Sequence, residues 1–210
     1  MRIQVPMRRT VLFAALFAIA LVAFLPLRLV LGGSGLTARE ASGSVWAGRL
    51  KEARIGPVAL GDLDARLAPL PLLVGHARVV LARPSGAPDR LTGALSLARH
   101  RRGIESVSGT IPIDSLGPLP IASLSLTDVT VVFRDGTCDR AEGQVQASLW
   151  GTGLPASLSG AVRCDSGALL LPLASGPGAE GVALRIFGDG RYEAQLNSRA
   201  SPSGTVRGSF

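Results

Sequence analysis

Val129-Thr130-Val131-Val132-Phe133-Arg134-Asp135-Gly136, followed shortly by Gln144-Val145-Gln146-Ala147-Ser148-Leu149-Trp150, decides the fold. The first segment is a β-branched run that stops at Asp-Gly. Both turn residues tolerate positive φ, so this dipeptide between apolar runs predicts a tight hairpin. The second segment alternates polar and apolar residues at period two, the pattern of a strand buried on one face.

The same pattern recurs outward from this hairpin. Val107–Ile113 alternates, and so does Tyr192–Asn197. Asp189-Gly190 separates Val182–Phe187 from Arg191–Asn197 and predicts a second hairpin. Arg83–Asp89, rich in Pro and Gly, reads as a longer loop between two strands. Asp114–Gly117 allows a short helical turn. A glycine followed by alternating residues starts at Gly61, Gly93, Gly109, Gly143 and Gly160, with spacings near multiples of ~16 residues. These glycines are expected at strand entrances. The expected fold is mainly β: a long antiparallel meander, either a twisted, curved sheet or an open sandwich, with both edge strands open.

The N-terminal segment is different. Thr10–Leu27 (TVLFAALFAIALVAFLPL) contains no charged residue. As a helix it reaches about 27 Å, close to the ~30 Å apolar core of a bilayer. Arg2, Arg8 and Arg9 precede it, and no acidic residue occurs before Glu40, which predicts a cytoplasmic N-terminus. Arg28 at the exit can extend its head to the interface. A cleaved signal peptide is the rival reading. The length of the run, and an exit at Leu27–Leu31 without a small-x-small site, favour an uncleaved anchor. The expected organisation is 1–9 cytoplasmic, 10–31 a transmembrane helix, 32–42 a linker containing Gly32-Gly33-Ser34-Gly35, and 43–210 a β domain beyond the membrane, in a bacterium the periplasm.

Composition narrows the function. The formal net charge is +7, and Lys51 is the single lysine. Arginine-rich usage alone explains this surplus; the functional alternative is attraction to an anionic membrane surface or an acidic partner. No cluster of basic and aromatic residues points to nucleic acid. Cys138 and Cys164 are the two cysteines. An oxidising compartment favours a disulfide between them, with two buried free thiols as the alternative. His76 and His100 are the two histidines; neither has a metal-binding spacing, and both read as surface or turn residues. There is no GxSxG elbow, phosphate loop or Ser-Lys pair. The sequence therefore argues against an enzyme and implies no cofactor or metal.

Gly43-Ser44-Val45-Trp46-Ala47-Gly48 is the most distinctive stretch beyond the anchor. Trp46 suits a filler at the end of a sheet, with Gly48 turning the chain; its functional alternative is an interfacial or partner anchor. With this motif come Leu67–Leu73, Gly75–Val79, Gly109–Ile113 with Leu116, Gly143–Val145 leading to Trp150, Leu158–Asp165, and Asp189–Tyr192. In this order they resemble type II secretion system protein N (GspN), a single-pass inner-membrane family of Gram-negative bacteria. The resemblance makes Gly43, Trp46, Gly48 and Trp150 candidate interaction residues and carries over no catalytic residue.

What it implies is a non-enzymatic accessory component of the machine that exports folded periplasmic proteins. Its partners would be other secretion subunits, on the inner-membrane platform or the secretin side, together with inner-membrane lipids. A rival from another class is a periplasmic lipid-handling protein, AsmA-like, whose curved sheet holds acyl chains in an apolar groove. An exposed apolar groove would favour lipid handling, and a closed core would favour a scaffold.

Overall fold

The computed structural model describes residues 11–13, 16–17, 20, 24, 36–55, 58–87, 89–112, 121–150, 157–176, 181–197 and 205–209. Fifteen strands among them form one sheet. In chain order they are β1 (Leu36–Thr37), β2 (Glu40–Ser44), β3 (Ala47–Ile55), β4 (Val58–Ala68), β5 (Ala77–Ala82), β6 (Leu91–Ala98), β7 (Arg101–Pro112), β8 (Ile121–Arg134), β9 (Thr137–Leu149), β10 (Ser157–Ala161), β11 (Arg163–Asp165), β12 (Ala168–Ala174), β13 (Gly181–Ile186), β14 (Arg191–Asn197) and β15 (Thr205–Ser209). From β3 to β10, and again from β12 to β15, each strand pairs antiparallel with its sequence neighbours. β1 and β2 both lie against β3, and β10 and β11 both lie against β12. Each of these two pairs is one strand interrupted by a short irregularity. This is the expected meander, built as a single sheet. β1 and the first three residues of β2 fall within 32–42, so strand pairing begins inside the stretch expected as a linker.

The hairpin that decides the fold forms as read. Arg134 pairs with Thr137, and Asp135 and Gly136 take φ of 49° and 80° in the turn. Ser166-Gly167 builds the same kind of turn between β11 and β12, at φ of 50° and 79°. The Asp189-Gly190 turn differs from its expectation, because only Gly190 has positive φ (89°). Asp189 instead accepts the backbone N–H of Arg191 at 3.1 Å and its Nε at 2.6 Å. These bonds, the backbone one foremost, hold the Asp189 carboxyl below the usual carboxylate range. The Arg191 guanidinium also stacks 5.3 Å from the Phe187 ring centroid.

The repeating glycines are not at strand entrances. Gly61, Gly93, Gly109, Gly143 and Gly160 lie inside β4, β6, β7, β9 and β10, where most of them meet bulges or close approaches of the neighbouring strand. Gly143 shows why. It has φ of 113°, and a Cβ there would sit 2.5 Å from the Asp128 carbonyl oxygen. Opposite it, β8 carries an extra residue between Thr127 and Thr130. A bulge of this kind bends its strand and sharpens the twist.

The bulges share a device. Glu52, Ser106 and Asp128 adopt φ near 50°. Each has its backbone N–H taken up by a side-chain oxygen of an adjacent strand: Asp62 Oδ1 at 3.0 Å, Thr130 Oγ1 at 3.0 Å and Ser108 Oγ at 2.9 Å. Thr130 can therefore be buried at 8% exposure, because its hydroxyl serves an otherwise orphaned donor. The extra residue also keeps the side-chain phase. Leu124 and Leu126 before the β8 bulge, and Val129 and Val131 after it, all reach one cluster.

Among the described residues there are two cores. The first gathers Val45, Leu50, Ala53, Leu63, Ala65, Leu67 and Val79 with their neighbours from β1 to β6. The second gathers Val129, Val131, Cys138, Val145, Ala147, Leu158 and Leu169 with theirs. Ile104 of β7 packs against both. No helical layer covers these clusters among the described residues. The sheet closes over them by curling, so that β4 approaches β7 and β9 approaches β11 and β12. Each fully buried Leu or Val here contributes about 1.5–3 kcal/mol.

One short helical turn, Pro69–Leu72, interrupts the strands within the Leu/Pro segment. Among the described residues no helix is long and apolar enough to cross a membrane. The described part of the N-terminal segment includes helical residues at 11–13, 16–17 and 20. Its Val11, Leu12, Phe13, Leu16 and Phe17 are exposed. Most of 10–31, with Arg8, Arg9 and Arg28, lies outside the described residues, as do Asp114–Gly117 and Leu116.

Candidate interaction surface

The Gly43–Gly48 motif forms the β2–β3 hairpin. Ser44 pairs with Ala47, and Val45 and Trp46 make the turn. Val45 is completely buried, and Trp46 packs partly buried against the first core. Leu67 donates its N–H to the Val45 carbonyl at 2.8 Å, which ties the turn to β4. Gly48, expected to turn the chain, lies in β3 instead, and the turn falls on Val45 and Trp46. Gly43 faces Gly48 across the hairpin. With φ of 86°, a Cβ on Gly43 would lie 2.5 Å from the Ala47 carbonyl oxygen. Only glycine fits that position without moving the partner strand.

The paired glycines leave a shallow, open depression lined by Ser42, Gly43, Ala47, Gly48, Arg49, Asp64 and Arg66. Arg49 Nε contacts Asp64 Oδ1 at 3.1 Å on its rim. Arg66 is exposed and makes no ion pair among the described residues. The depression therefore offers a guanidinium to an acidic group. It also borders an open strand edge, since β2 pairs with β3 alone among the described strands. At the other end of the sheet β15 pairs with β14 alone among the described strands. Both edges carry cross-strand ion pairs, Lys51 with Glu40 at 3.0 Å and Arg207 with Glu193 at 3.0 Å. Charges on edges protect a monomer from indiscriminate pairing, and an exposed pair adds only about 0–1 kcal/mol.

The other candidate residues do not converge on this place. Trp150 follows the last residue of β9 and is 59% exposed. It lies at the opposite strand end from Trp46, next to Leu149, which packs against the second core, so the two tryptophans serve different places. His100 sits in the β6–β7 turn with Nδ1 2.9 Å from Asp135 Oδ1. His76 closes the loop before β5 by donating its N–H to the Pro71 carbonyl at 3.0 Å. Among the described residues no group of His, Cys, Asp and Glu could hold a metal ion. The depression itself was not foreseen; the signal for it is the glycine pair at hairpin register within the Trp46 motif.

Cys138 and Cys164 form a disulfide with a Cα–Cα separation of 5.6 Å. It joins β9 to β11, which are not ladder neighbours. The bond from Cys138 N–H to the Gly167 carbonyl at 2.8 Å runs beside it. The pair therefore fastens β9 to the continuation of β10 beyond their ladder, at the second core.

No curated protein and no solved structure matches the chain. The family model described as type II secretion system (T2SS), protein N, matches residues 34–207, which takes in both cores, the Trp46 hairpin and the open β2 edge. The chain belongs to the type II secretion system protein N family.

Proposed function

We propose that this protein is a membrane-tethered accessory subunit of type II secretion that works by docking other envelope subunits. Residues 10–31 hold it in the inner membrane with the N-terminus in the cytoplasm, and the sheet stands in the periplasm. The apolar run and the arginines before it support that orientation. Family membership supports the secretion role. The observation that carries the docking mode is the open β2 edge beside the glycine-floored depression. A partner strand adding to β2 would bond through its backbone, and an acidic side chain on it would meet Arg66. The partner belongs to the inner-membrane platform or to the secretin side.

The lipid-handling alternative has less support. It needs an apolar groove, whereas the large apolar side chains of the sheet gather into two packed clusters. On the described strands the large apolar side chains left exposed are Ile55 and Val80.

An in-frame deletion tests the secretion role. Folded cargo should accumulate in the periplasm, or the secretion complexes should change composition, and the intact gene should restore both. Unchanged export together with unchanged complexes would remove the role.

A further inference from the structure

The loop between β4 and β5 is unlike the rest of the surface. From Pro69 to Gly75 it has no polar side chain. Leu70, Leu73 and Val74 are 76%, 84% and 70% exposed, although leucine and valine elsewhere in the sheet are mostly withdrawn. Its backbone is largely self-contained. Leu73 donates to the Leu70 carbonyl at 3.2 Å, Val74 to Pro71 at 3.2 Å, Gly75 to Leu72 at 3.1 Å and His76 to Pro71 at 3.0 Å. Pro69 and Pro71 have no N–H to satisfy. A segment whose donors are met internally can enter hydrocarbon at low cost. A strand-adding protein partner would need the reverse, free backbone groups.

An exposed arginine stands beside it, with Asp135 held against the neighbouring His100. β5 begins where Ala77 pairs with Leu97, one residue before Ala98, which pairs with Arg101. The Arg99-His100 turn therefore lies beside the loop. Arg99 is exposed and has no ion-pair partner among the described residues. The loop is at the opposite strand end from Leu36, which pairs with Ile55, so β3 alone sets them roughly 30 Å apart.

We propose that Leu70–Val74 is a lipid-inserting tip that enters an anionic bilayer surface while Arg99 engages the headgroups. Apolar insertion and arginine–headgroup attraction act together in interfacial anchors of this kind. This contact is separate from the apolar N-terminal run and independent of docking at β2.

The test uses the full chain in nanodiscs. An environment-sensitive fluorophore is attached through Leu73→Cys, the native cysteines being held in their disulfide. Nitroxide-labelled lipid is placed either in the nanodisc or in added vesicles, of phosphatidylcholine alone or with phosphatidylglycerol. The label should shift to the blue and be quenched in at least one arm when phosphatidylglycerol is present. Leu70→Ser should reduce quenching at least about fivefold, and Arg99→Glu should abolish the preference for phosphatidylglycerol. A label that stays water-exposed in both arms overturns the proposal. So does equal quenching in the two lipids, or shielding that appears only when another envelope subunit is added.

Discussion

Replacing Gly143 with valine is expected to prevent stable folding, or to lower stability by about 3 kcal/mol or more. The reason is local. Gly143 has φ of 113°, and a Cβ would fall 2.5 Å from the Asp128 carbonyl oxygen and 2.6 Å from the Val129 Cα. Both are backbone atoms at the β8 bulge, so no side chain can swing aside. Moving them would break the bond from Asp128 N–H to Ser108 and shift Val129 out of the second core. Gly61 is the control. It has φ of 75°, but nothing lies within 4 Å of its Cβ position, so Gly61→Ala should cost only about 1–2 kcal/mol. Urea unfolding followed by circular dichroism measures both. Equal effects at the two sites would mean that the bulge does not hold the strands as described.

Reducing the disulfide should lower stability by roughly 3.5 kcal/mol, the loop-entropy value for a sequence separation of 26. The effect is large because a domain of this size is stable by only about 5–15 kcal/mol. The bridge sits where the regular β9–β10 ladder has ended, with Cys138 N–H to the Gly167 carbonyl as a backbone bond beside it. Paired urea titrations with and without reductant, alongside the double variant Cys138→Ala/Cys164→Ala, read this directly. Reduced wild type and double variant should have similar midpoints, both well below the oxidised protein. A midpoint that does not move on reduction would show that the second core holds the curl unaided.

Much of the sheet was legible because period-two alternation and Asp-Gly turns are local signals. Asp135-Gly136 needed only two residues with positive φ, and the sequence supplies them. The disulfide was legible because there is only one way to pair two cysteines. The bulges were not. Whether Gly143 opens a strand or bends its middle depends on Asp128, a residue from the neighbouring strand, and no spacing along the chain reveals that meeting. The phase slip between Leu60 and Leu63 follows from the same device. Two local curled cores instead of one were equally hidden, because curling is a property of many bulges acting together. At the candidate surface, Trp46 packs partly buried against the first core, but it makes the turn with Val45, while Gly48 lies in β3. The depression was missed because it is made of what glycine lacks, and it appears only once Gly43 faces Gly48.

Site-specific photocross-linking in secreting cells tests the docking claim most directly. A benzophenone amino acid at Ser42, on the open β2 edge and lining the depression, is compared with one at Thr137, exposed in the β8–β9 hairpin. A discrete product is expected between position 42 and another secretion subunit, weakened by Arg66→Glu, and none from position 137. Active export with no product from position 42, or the same product from both positions, would contradict it.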